Sequence, residues 1–92
     1  MEIADLKSLG PKSQKILADA GITTVDELYA IGAVAAYIRV KAYWPKTSLN
    51  MLWALESAVT GIPWQEVARL HRTDLLSALE VARSNMSASD FL

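Results

Sequence analysis

All seven helix-breaking residues of this 92-residue chain, four glycines and three prolines, fall between stretches patterned as helices. That placement constrains the fold more than any other feature, because each break has to become a corner. Pro11, directly after Gly10, suits a first helical turn, where its missing N–H leaves nothing unsatisfied. The segment to Ala20 turns Ile16 and Leu17 inward, and Gly21 supplies a stop that tolerates positive φ. Thr24 with Glu27 three residues on is a capping-box pattern, each side chain covering a free backbone donor, and Asp26 adds favourable charge at the same end. Val25, Leu28 and Ile31 form the inner face of that helix until Gly32 breaks it.

The segment "GAVAAYIRVKAYW" resumes a helix rich in small residues and ends at Trp44, since the residue before Pro45 is pushed out of the α region. In "KTSLNMLWALESAVTG", capped by Thr47 or Ser48, the residues Leu49, Leu52, Trp53, Leu55 and Val59 are apolar on more than one face. Such a helix belongs at the centre of a bundle, and Gly61 ends it. Pro63 opens a short helix with Trp64 near its start. Thr73 or Asp74 is placed to cap the last one, whose inner face is Leu75, Leu76, Leu79 and Ala82. Period-two alternation is scarce.

These patterns predict an all-α fold, a compact bundle of about five to seven short helices. One domain is expected over residues 1–83, with a frayed tail over 84–92. A shift of 22 residues also superposes Leu6 on Leu28, Leu9 on Ile31, Gly10 on Gly32, Ser13 on Ala35 and Ile16 on Ile38. Two helix-hairpin-helix-like corners of one design are the expectation, with Gly10, Pro11, Gly21 and Gly32 as structural corner residues. Each of the three glycines is expected to need a backbone shape that a Cβ resists.

Composition narrows the function. Hydrophobic residues make up 52% of the chain and cysteine is absent, so a packed core must hold it without disulfides. Acids stand where a signal peptide would carry bases, and the longest apolar stretch, "IGAVAAYI" (31–38), is far short of the ~20 residues a spanning helix needs. A soluble cytoplasmic domain is the expectation, with no membrane partner. Catalytic constellations are missing: there is no cysteine nucleophile, no metal-ligand spacing and no phosphate-binding glycine loop. His71 is the sole histidine, at a surface or capping position, and Glu56 is a lone acid within the most apolar helix. No enzyme activity, cofactor or metal is expected.

A net charge of −1 gives no global attraction to nucleic acid, but the charges are unevenly spread. Lys7, Lys12 and Lys15 lie in one stretch without acids, between Asp5 and Asp19; Arg39, Lys41 and Lys46 lie in another, between Glu27 and Glu56. Aromatic residues alternate with bases in "YIRVKAYWPK", a composition that stacks on bases, seats a protein partner, or simply packs between helices. The corner "SLGPKSQ" (8–14) is similar to the "GVGPKTA" turn of helix-hairpin-helix modules, whose glycines and exposed amides hold a duplex phosphate. Gly10, Lys12, Ser13 and Lys15 are therefore the candidate DNA-backbone contacts. Ser8 stands in place of the first glycine, and the second corner, "AIGAVAA" (30–36), has Val34 where the first has Lys12.

The ordered set of Leu9-Gly10-Pro11, "AGI-T" (Ala20 to Thr24), "L-x-x-IGAVAAY" from Leu28, "SLNMLWALE-A--G" (48–61) and Trp64 resembles the C-terminal domain of the TfoX/Sxy family of bacterial competence regulators, over about residues 3 to 80. Members often carry an N-terminal α/β domain too, and the chain is expected to be the C-terminal module without it. The resemblance implies a non-enzymatic regulatory binding module in competence or transcription control. Two ways of acting follow. One is weak, sequence-independent contact with the DNA backbone through the first corner; the other is binding of a regulatory protein or a second copy, as a homodimer, with no nucleic acid involved.

Overall fold

Every regular element among the described residues is a helix. The computed structural model describes residues 1–90, with side chains through Ser84. A 3₁₀ turn, Ile3–Asp5, leads into α1 (Pro11–Asp19), α2 (Val25–Tyr43), α3 (Leu49–Thr60), α4 (Trp64–Leu70) and α5 (Arg72–Asp90). The all-α expectation holds, with five helices and no strand among the described residues. The tail expected to fray from 84 onward has its backbone in α5 as far as Asp90, and residues 91 and 92 lie outside the described residues.

Most helix ends form where the sequence places them. Pro11 is the first residue of α1, with Gly10 as N-cap. The other end closes in a Schellman motif: the Ile22 N–H donates to the Leu17 carbonyl at 2.8 Å and the Gly21 N–H to the Ala18 carbonyl at 3.0 Å. Thr24 caps α2, its Oγ1 accepting from the Glu27 N–H at 3.1 Å. The reciprocal arm of the expected capping box is replaced: the Glu27 carboxylate accepts from the hydroxyls of Thr23 and Thr24, at 2.8 and 3.2 Å. Gly61 ends α3 in the left-handed region.

Three expectations need correction. Gly10 does not take a glycine-only conformation; at φ −144° and ψ −171° it is ordinary extended backbone, and a Cβ there would meet nothing within 4 Å. The positive φ of that corner sits two residues earlier, on Ser8 at 69°. The two corners accordingly differ in their backbone angles: Gly32 lies at φ 81°, ψ 170° and bends α2 within its length, whereas the first corner is entered from a single 3₁₀ turn. Finally, Thr73 and Asp74 lie inside the first turn of α5 and do not cap it. The His71 backbone joins the last two helices, donating to Val67 of α4 at 2.9 Å and accepting from Leu75 of α5 at 3.0 Å.

Helix α3 is central, as its apolar faces require. It packs against α2 on one side and α4 on another, while α5 closes over α2 and α4. Leu52 and Leu55 are fully buried together with Leu17, Ile22, Leu28, Val40 and Val67. The radius of gyration, 12.8 Å, matches the ~13 Å of a compact domain near this size. Among the described residues no helix is long and apolar enough to cross a membrane.

Candidate functional site

The loop between α2 and α3 is built by its proline. Pro45 stops α2, so Trp44 leaves the helix at φ −126°, ψ 79°. The Trp44 N–H still reaches the Val40 carbonyl at 2.8 Å, and the Thr47 N–H closes a turn onto the Trp44 carbonyl at 2.9 Å. Lys41, one turn back in α2, holds the far side: its Nζ donates to the Thr47 carbonyl at 2.7 Å. Residues 44–47 are thereby fixed in front of α1.

Between this loop and α1 lies an open groove of about 390 Å³. Lys12, Lys15 and Asp19 border it from α1, and Trp44 and Lys46 from the loop. Ile16 and Thr47 complete the lining and also border a second groove of about 340 Å³, where Ser13 meets the start of α3 at Ser48 and Asn50. Three lysines and one aspartate border the first groove. Lys12, Lys15 and Lys46 are exposed, and Trp44 keeps 47% of its surface.

The four candidate contacts are thus divided. Lys12 and Lys15 share the first groove, Ser13 faces the second, and Gly10 borders neither. Of the other bases, Lys46 joins the two α1 lysines, Lys41 is spent on positioning the loop, and Arg39 borders a separate depression with Ala82 of α5. The aromatic residues divide similarly. Tyr37 and Trp53 are core, whereas Tyr29, Tyr43, Trp44 and Trp64 are exposed. Sequence reasoning missed the pairing of Trp44 and Lys46 with α1, although aromatics among bases in "YIRVKAYWPK" marked the loop itself. It missed Asp19 altogether.

Among the described residues no three His, Cys, Asp or Glu side chains cluster to hold a metal ion, and no buried side-chain polar atom lacks a partner.

The model of the family described as the TfoX C-terminal domain matches residues 1–79. In three dimensions the chain is similar to an uncharacterized protein from Listeria monocytogenes, crystallised in a triclinic form. The two are 26% identical with a TM-score of 0.78, over 90% of this chain and 94% of that one. It is also similar to a protein of unknown function from Listeria monocytogenes in a tetragonal form, at 29% identity and a TM-score of 0.69, over 83% of this chain and 98% of that one. No curated protein matches the chain.

Proposed function

Because the chain belongs to the TfoX C-terminal domain family, a family of regulatory type, we propose that it is a non-enzymatic module of competence or transcription control that contacts the nucleic-acid backbone through the groove between α1 and the α2–α3 loop. One observation carries this reading. Two acid-free stretches of sequence, more than a helix apart, deliver Lys12, Lys15 and Lys46 to a single groove. Ammonium groups held on a rigid helix and a pinned loop neutralise phosphates without reading bases. With three such contacts the affinity is weak, independent of sequence and steeply dependent on salt.

The test is fluorescence anisotropy of labelled DNA, as a duplex and as one of its strands, at low and near-physiological salt. Salt-sensitive binding that the double change K12E/K15E abolishes, with helicity unchanged by circular dichroism, supports the reading. No binding of either form at low salt removes it.

A second reading rests on aromatic and aliphatic surface away from the groove. Tyr29, Trp64 and Leu70 are 47%, 45% and 62% exposed, and such side chains anchor protein interfaces. In that reading the module binds a regulatory protein or a second copy of itself. Light scattering that finds a monomer at high concentration removes the homodimer.

A further inference from the structure

We infer that the groove around Trp44 seats an unpaired base of a nucleic-acid single strand, with the indole as stacking platform and Lys12, Lys15 and Lys46 on the strand's phosphates; this rests on the backbone-contact reading above. Trp44 keeps nearly half its surface in a position the fold does not leave to chance. Pro45 forces it out of α2, the Thr47 turn closes behind it, and the Lys41 bond to the Thr47 carbonyl holds that turn in place. A tryptophan serving only the core would be covered, as Trp53 is at 5%.

The chemistry around the indole selects the occupant. A half-exposed tryptophan bordered by three lysines matches a flat base joined to phosphates, because stacking tolerates any base and the lysines supply the ionic attraction. Asp19, the one carboxylate in the groove, repels phosphate but accepts a hydrogen bond from a base's N–H, whether a ring imino group such as thymine N3–H or an exocyclic amine. A closed duplex keeps its base faces stacked on one another and has none to offer Trp44. A free nucleotide would find too little cover, since small-molecule sites enclose most of their ligand and the lysines here are exposed. A strand meets both conditions, and it can continue over Thr47 into the adjoining groove beside Ser13 and Asn50.

The experiment titrates the whole chain into labelled oligothymidylate, an abasic strand of equal length, and a blunt duplex, all at low salt. The expected result is binding of oligothymidylate about ten-fold tighter than of the abasic strand, within the range that one stacked base contributes. W44L should erase that preference and W44F should keep most of it, with folding of both checked by thermal melting. Equal binding of the base-bearing and abasic strands by the unaltered protein overturns the inference without reference to any variant. If K12E/K15E still abolishes binding in that case, the backbone-contact reading stands and the stacking platform falls. If neither strands nor duplex bind, both fall.

Discussion

The hydroxyl of Ser8 lies 2.8 Å from that of Ser57, fastening the first corner to the last turn of α3. Ser57 is completely buried, and Ser8 is the one non-glycine residue with positive φ in the described backbone. A Cβ in the left-handed region costs ~1–2 kcal/mol, and a hydrogen bond of this kind returns ~1 kcal/mol. S8A should lose the bond and keep the strain, whereas S8G should lose both. S8G is therefore expected to be more stable than S8A by ~1 kcal/mol. Urea midpoints at constant m-value read the difference; equal midpoints would mean that the corner is unstrained.

The two aligned glycines should respond unequally to alanine. Gly32, at φ 81° and ψ 170°, occupies a region that side chains avoid, so G32A is expected to cost ~1–3 kcal/mol by forcing the bend in α2 to change. Gly10 is extended with open space where a Cβ would go, so G10A should stay within ~0.5 kcal/mol of the parent. Chemical denaturation of both variants side by side decides the matter.

Packing of α3 gives a third contrast. Leu52 is wholly buried in α3, the helix packed against both α2 and α4, while Leu49 is only partly covered. L52A should cost ~2–5 kcal/mol and L49A clearly less. Comparable losses would argue against α3 as the centre of the core.

These contrasts also mark what the sequence reveals. Pro11, Gly21, Pro45 and Gly61 show the helix boundaries, and Gly32 the bend in α2, because each acts on its own few residues of backbone, where local chemistry decides. Thr73 and Asp74 mislead for a different reason: α4 runs almost directly into α5, whose first helical bond is accepted by the His71 carbonyl, so both residues already lie within the first turn and not ahead of it. The strain on Ser8 is hidden since serine rarely takes positive φ, and its compensating partner lies 49 positions away. Distance along the chain conceals the groove as well. Nothing periodic links Lys12 and Lys15 to Lys46, and only the packing of α1 against α2 brings them together.

Acid should weaken the start of α2. The Thr23 hydroxyl first, and then that of Thr24, hold the Glu27 carboxyl below its ordinary value of 4.5. A carboxyl whose folded value is depressed stabilises fully above its unfolded value and loses that contribution as pH falls through the folded one. NMR titration of Glu27 should therefore give a value below that of an unstructured glutamate, and T23A should move it back up. A Glu27 value unchanged by T23A would show that this hydroxyl bond is not formed in solution.

Lys41 and Lys46 should part company when DNA binding is measured against salt. Lys46 borders the groove and is exposed, whereas Lys41 gives its ammonium to the Thr47 carbonyl at 2.7 Å. A lysine that neutralises a phosphate adds ~0.7–0.9 to the slope of log K against log salt, and one that only positions a loop adds nothing. K46M should thus flatten the slope by about one contact. K41M should leave the slope alone, yet weaken binding at every salt concentration because residues 44–47 lose their tie to α2. Hydrogen exchange supplies the second readout: the Thr47 amide, which closes the turn onto Trp44, should exchange faster in K41M and not in K46M. If K41M flattened the slope instead, its ammonium would belong with the phosphate contacts, and the loop would have to be held by the Thr47 turn alone.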